Sequence, residues 1–293
     1  MAHEEATGMR LARDSEGRTA MMAEPAASGT CSTCGGSAAA ATSSFVYALG
    51  RVEPRFPSLS VEKEFAQAVG RAHTAKLADR QAIHTVLTQP ENAYLIRQLC
   101  WVFTIEGIDS YVVVPPGSEE ARYLVEALRP SPRDGDIDVV IGSLGPPLGG
   151  RACNGLMLPS VALTQIYSFN VDELVAQLPR PKEVGEAAFK AAVQTLLQLT
   201  ENPGVRPDHR AINYLVTRDP TLHAAVAQRA QHKESLAGVE VRPSALSTSR
   251  QIKEVVLTFR QRETDAAERL FARVDTTELF PFLVSKLGPY TER

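Results

Sequence analysis

Cross-linking chemistry and one-sided charge are both scarce in this sequence. Only four cysteines occur in 293 residues, which argues against a scaffold stapled by disulfides. Basic and acidic residues nearly balance, 31 Lys+Arg against 34 Asp+Glu, with a formal net charge of -3. That balance supplies no electrostatic footprint for nucleic acid or for an acidic membrane surface. No window approaches the roughly 20 apolar residues that a membrane span requires. The opening MAHEEATGMRLARDSEGRTAMMAEP lacks the apolar run of a secretory signal, so a cytoplasmic protein is expected. Missing too are a P-loop, a GxGxxG turn, an HExxH helix and a GxSxG elbow. No motif names an enzyme.

What is present reads as a soluble α+β protein, 44% hydrophobic. Residues 1–44 combine scattered charge with the small-residue stretch GTCSTCGGSAAAATSS and read as a flexible tail carrying a CxxC. Folded structure is expected from Phe45-Val-Tyr-Ala-Leu-Gly50, an aromatic and β-branched strand. Ser60 caps a helix with Val61, Phe65 and Val69 on one face. Further helices are expected near Asp79 and Pro90. Cys100–Glu106 and Tyr111–Val114 read as a hairpin, followed by a helix over Glu119–Leu128 and a strand over Ile137–Ile141. Gly142–Pro159 is crowded with Gly and Pro and reads as an irregular loop. After the strand Val161–Tyr167 and a short helix, Pro179-Arg-Pro181 marks a boundary between two expected lobes. Helices then run from Glu183 to about Thr200, Asp208 to Thr217 and Thr221 to Lys233. Val239–Arg242, Ile252–Arg260 and Leu270–Thr276 change period and read as an antiparallel meander. The fold class expected is therefore α+β: mixed strands and helices, a helical segment, then the meander.

Four constellations carry chemistry. In Cys31-Ser-Thr-Cys34-Gly-Gly two thiolates can face one cation, and Cys100 and Cys153 complete a four-thiolate set. A structural zinc on Cys31, Cys34, Cys100 and Cys153 is expected. The bland readings are a chance CxxC in a tail and a buried free thiol at Cys100. Asp134-Gly-Asp136-Ile-Asp138 has the alternation of a calcium loop but no distal glutamate, and reads as a solvated turn entering a strand. His84, His209 and His223 fall on expected helices in no nucleophile or metal pattern. Arg242, Lys253, Arg260 and Arg273 lie on the meander, whose edges either accept an extended peptide or are guarded by those charges.

Phe45-Val-Tyr-Ala-Leu-Gly50, the helix Arg210-Ala-Ile-Asn-Tyr214 and the run VEVRP…VVLTF…FARVD together resemble one domain. It is the domain at the C-termini of PatA-type and PatG-type proteins of cyanobactin biosynthesis, and the resemblance covers about residues 45–293. It implies a freestanding, non-catalytic accessory protein of a modified-peptide pathway that binds the precursor peptide and presents it to modifying enzymes. A dimer is implied as well. No Asp/His/Ser triad motif is present, so the protease activity of the PatG-type proteins is not carried over. The alternative is a modifying enzyme that uses a thiol or a metal-bound water at the cysteines.

Overall fold

The computed structural model describes residues 44–71, 79–129, 135–148, 150 and 153–290. Cys31 and Cys34, and with them residues 1–43 of the expected tail, lie outside the described residues. The first strand, β1 (Phe45–Arg55), is followed by α1 (Leu59–Arg71), α2 (Asp79–Leu87) and α3 (Ala93–Ile96). A hairpin of β2 (Cys100–Ile105) and β3 (Ile108–Val114) leads to α4 (Ser118–Glu126), then β4 (Ile137–Pro147) and β5 (Pro159–Phe169). These five strands close into a barrel in the order β1-β2-β3-β5-β4. All its neighbours are antiparallel except β3 and β5, which pair in parallel over Val112–Val114 and Ser160–Ala162.

Closure depends on β1 serving two partners. Its first half, Phe45–Gly50, pairs with β4, and its second half, Arg51–Arg55, pairs with β2. Gly50 sits at the changeover, where a Cβ would run into the Thr104 carbonyl oxygen and the Phe103 ring, so a side chain there would force the strands apart. The β2–β3 turn is the two-residue Glu106-Gly107, both at positive φ (51° and 74°), the backbone of a type I′ hairpin turn.

Successive barrel residues point to opposite sides. Val46, Ala48, Phe103, Val113, Val140 and Val161, drawn from all five strands, share one apolar cluster with Phe65, Leu87, Leu95 and Leu124 of the first four helices. The alternate residues Tyr47, Leu49, Val139 and Ile141 join a second cluster with the later helices. Both faces being buried explains uninterrupted runs such as Phe45-Val-Tyr-Ala-Leu49.

The chain continues through α5 (Val171–Gln177), α6 (Glu186–Gln198), α7 (Pro207–Arg218) and α8 (Pro220–Gln231) into four antiparallel strands. These are β6 (Glu234–Pro243), β7 (Ile252–Gln261), β8 (Ala267–Asp275) and β9 (Phe282–Pro289), paired in sequence order. The fold is α+β, and the meander has a fourth strand beyond the three expected. Val255, Leu257, Phe259, Leu270 and Ala272 of this sheet pack into the second cluster with Phe189, Leu196 and Leu215 of α6 and α7. Pro179–Pro181 joins α5 to α6, and residues on both sides of it, Leu178 and Val184, belong to that cluster.

Two residues of α7 tie the parts together. Asn213, fully buried, donates from Nδ2 to the Tyr47 carbonyl at 2.7 Å. The Tyr47 amide donates to the Gly204 carbonyl at 2.9 Å, an approach that needs glycine because Gly204 has φ +69° and a Cβ there would strike Tyr47. Arg210, 3% exposed, donates to the carbonyls of Thr276 (2.9 Å), Leu279 (3.1 Å) and Glu278 and lies 5.1 Å above the Phe45 ring. Burial lowers its pKa to about 10, which still leaves it charged near neutrality. The Arg210–Tyr214 run is thus a structural joint.

Candidate binding sites

Cys100 and Cys153, both buried, are joined in a disulfide with Cα atoms 5.4 Å apart. Cys153 thereby anchors the end of the Gly-rich segment against Val102 and Val112 of the hairpin, with Leu148, Leu156 and Leu158 around them. In this state neither sulfur is a thiolate, so neither can ligate zinc. Among the described residues no group of three or more His, Cys, Asp or Glu is placed to hold a metal. The Gly142–Pro159 segment is less irregular than its composition suggests, because β4 continues through it to Pro147 and pairs with β5 across two register shifts.

Asp136 and Asp138 of the DGDID run are buried and not in a solvated turn, while Asp134 lies outside the described residues. Asp138 is fully buried; its carboxylate accepts from the Val52 amide at 2.7 Å and from Ser168 Oγ at 2.6 Å, with Arg80 at 3.8 Å. Burial pushes its pKa up, against the lowering by those partners, and the charge of Asp136 adds to the rise. Asp138 fastens β4 to β1 and β5. Asp136 is 7% exposed, and its Oδ1 has no hydrogen-bond partner.

Asp136 lines a cleft of about 510 Å³ between the barrel and α6. Leu49, Arg51 and Glu53 come to it from β1, Glu106 and Gly107 from the hairpin turn, and Ile137 from the start of β4. Val171 is placed by the capping box of α5, in which Asn170 accepts from the Glu173 amide (2.8 Å) and Glu173 accepts from the Asn170 amide. Leu197, Gln198 and Glu201 complete the wall at the C-terminal end of α6, a terminus with partial negative charge. Arg51 Nε donates to the Asp136 carbonyl at 3.2 Å, and Glu53 is paired with Arg55 at 2.7 Å.

The other open surface is the C-terminal sheet. Its second cluster covers one face; on the other, Glu254 accepts from Arg273 at 2.8 Å and has Arg242 at 3.5 Å. Arg242 lies 4.7 Å over the Tyr290 ring, and Arg273 lies 4.7 Å over that of Phe271. Of the four basic residues expected at strand edges, only Arg242 is on an edge strand. Lys253 and Arg273 are on the central strands and are paired with Asp208 and Glu254, and Arg260, also central, is paired with Asp265. The far edge belongs to β9, where Phe282 (45%) and Val284 (37%) are exposed in alternation with partly covered Leu283 and Ser285.

The histidines do not converge. His84, His209 and His223 sit on three different helices, and burial lowers the pKa of each. His223 donates from Nε2 to the Val216 carbonyl at 2.7 Å. Tyr111 donates to the Pro203 carbonyl at 2.7 Å, and burial raises its pKa to about 12. His223 and Tyr111 are buried, whereas His84 and His209 are half-buried.

A family model described as the PatG domain matches residues 45–203, more than half of the chain. The chain belongs to the PatG family. A second model, the PatG C-terminal domain, matches residues 180–290. A solved structure titled "PatG Domain of Unknown Function" is similar in fold, with TM-score 0.68 and 20% identity, covering 85% of this chain and 99% of that one. No curated protein matches the chain. PatG domains tie this chain to cyanobactin-type, modified-peptide biosynthesis. The PatG domain match spans the whole barrel and the cleft residues to Glu201, whereas the exposed edge of β9 lies in the C-terminal match. No signal in the sequence marks the cleft, since Arg51, Glu106 and Glu201 meet only when the barrel closes and α6 packs beside it.

Proposed function

We propose that this PatG-family chain is a non-catalytic accessory protein that binds the precursor of a ribosomally made, modified peptide and presents it to the modifying enzymes of the pathway. The observation that carries this reading is the outer edge of β9. It ends a four-stranded antiparallel sheet and displays Phe282 and Val284 on alternate residues. An extended peptide can add there as a fifth strand, with main-chain hydrogen bonds supplying affinity and the exposed side chains supplying preference. The protein works in the cytoplasm, where such precursors are made. Dimerisation and a structural zinc ion on reduced cysteines are separate proposals, decided by sedimentation and by metal analysis of the reduced protein with and without Cys31→Ser.

The test is titration of the purified protein with the precursor peptide of its pathway. Binding in the micromolar range is expected, weakened at least tenfold by Phe282→Asp or Val284→Asp while the fold is retained. No binding well above micromolar concentration, in oxidised and reduced protein alike, would remove the reading.

A further inference from the structure

The cleft between the barrel and α6 is chemically unlike the β9 edge. Its described lining carries four carboxylates, on Glu53, Glu106, Asp136 and Glu201, against one guanidinium, on Arg51. Three of the carboxylates are accounted for by solvent or by a neighbour: Glu106 and Glu201 are exposed, and Glu53 is paired with Arg55. Asp136 is different, since more than nine-tenths of it is buried and Oδ1 has no hydrogen-bond partner. An unpaired buried carboxylate oxygen is costly, and in native structures it calls for an explanation. Arg51 does not relieve it, because its Nε donates to the Asp136 carbonyl oxygen. The charge of Asp136 is sensed nearby, where it adds to the upward shift of the Asp138 carboxyl. The C-terminal end of α6 adds partial negative charge to the same wall.

Metal chemistry does not match this lining. Among the described residues its carboxylates are not gathered in a group of three that could hold an ion. Its walls also include the apolar Leu49, Ile137, Val171 and Leu197. A cleft lined by apolar side chains together with a buried Asp136 and the exposed Glu106 and Glu201 suits a group with an aliphatic stem and a cationic head.

We infer that the cleft is a binding site for a lysine or arginine side chain of a peptide, with Asp136 as its buried ionic partner and Glu106 and Glu201 as exposed ones. The aliphatic part of the side chain lies along Leu49 and Leu197, and its charge meets carboxylates already held in place. The inference deepens the peptide-binding reading by adding a specificity pocket to it, yet it concerns a different surface from β9.

The test uses three acetylated and amidated tripeptides, Ala-Lys-Ala, Ala-Arg-Ala and Ala-norleucine-Ala, titrated into the full-length protein and followed by the amide NMR signals of the residues around Asp136. The lysine or arginine peptide should bind at least tenfold more tightly than the norleucine peptide, and the preference should shrink with added salt. Asp136→Asn should abolish the preference. Should that variant fail to fold, the double variant Glu106→Gln with Glu201→Gln must reduce it at least threefold. Equal binding of all three peptides, or a preference that survives these substitutions, would overturn the inference. The two readings fail separately. A precursor whose lysines and arginines are all replaced by norleucine, yet binds undiminished, removes the pocket and leaves precursor binding intact. A tripeptide preference in a protein that ignores the precursor keeps the pocket and removes the accessory role.

Discussion

In the barrel, Val46 and Tyr47 are neighbours on β1 and both are buried; on β9 the neighbours Leu283 and Val284 divide, one partly covered and the other exposed. Where β1 runs beside β4, one face packs with α1–α4 and the other with later elements, so residues there have packing to lose on both sides, whereas Ala162, Thr164 and Gln165 of β5 are exposed. The C-terminal sheet lies on α6–α8 with one face only, and its other face meets water through the partly exposed Arg242 and Arg273, which close over the buried Glu254. A sheet enclosed on both sides can hold a fold together but offers no edge to a partner, whereas a sheet with one free face and a free edge can do so. The proposed cleft site is the barrel's contribution to binding.

Substituting one residue type in both regions tests that contrast most severely. Phe103→Ala removes a fully buried ring from the barrel and should cost about 3–5 kcal/mol. Phe271→Ala, whose half-buried ring lies on the other face against Tyr290 at 5.7 Å, should cost less than Phe103→Ala, because it loses less buried area and leaves no enclosed cavity; urea denaturation of both variants gives the comparison directly. Equal losses would mean that the outer face of the sheet is not open in solution. Next in size is the disulfide, which closes a 53-residue separation on the barrel side. The double substitution Cys100→Ala with Cys153→Ala should cost about 2–4 kcal/mol. A thiol titration that finds no bonded cysteine in the native protein would remove that prediction at its root.

Acid should act on the helical layer between the two sheets. Burial holds the pKa of His223 below 6.5, so as pH falls through 6.5 the unfolded chain takes up a proton that the folded chain refuses. The stability associated with this group is complete above pH 6.5 and is lost as pH drops toward the folded pKa, by about 1.4 kcal/mol per pH unit within that window. His84 and His209 shift in the same direction. Urea midpoints at pH 7.5 and 5.5 should show the fall, and His223→Gln should flatten it. The smallest effect is expected at β9, where Val284→Asp should change stability by less than about 0.5 kcal/mol while weakening precursor binding. A large loss of stability there would show that the β9 edge is covered.

The α+β class and the position of nearly every helix were legible from capping residues and apolar spacing, because those signals are local. Barrel closure was not, since it depends on β1 giving half its length to β4 and half to β2, and no periodicity announces a change of partner. Gly142, Gly145 and Pro146 read as loop. Yet β4 continues through them, because a Cβ at Gly142 would strike the Ala162 carbonyl of β5 and only glycine lets the strands meet. β9 went unread because Pro281, Gly288 and Pro289 frame a short run with Lys286 inside it. Asp138 looked solvated because its partners, Val52, Arg80 and Ser168, come from three distant segments. For the same reason the cleft went unread.

The grip on Tyr47 has a consequence for how the protein is made. Its amide and carbonyl are bonded by Gly204 and Asn213, and the second of these is 166 residues later in the chain. A ribosome delivers β1 early and α7 late, so the outer side of the first strand must wait, uncovered, through the synthesis of most of the protein. Ending the chain where the two matched segments overlap, over residues 180–203, would leave the outer side of β1 permanently without its α7 partners. Barrel and sheet are therefore two regions of one folding event, and the N-terminal half expressed alone is expected to aggregate.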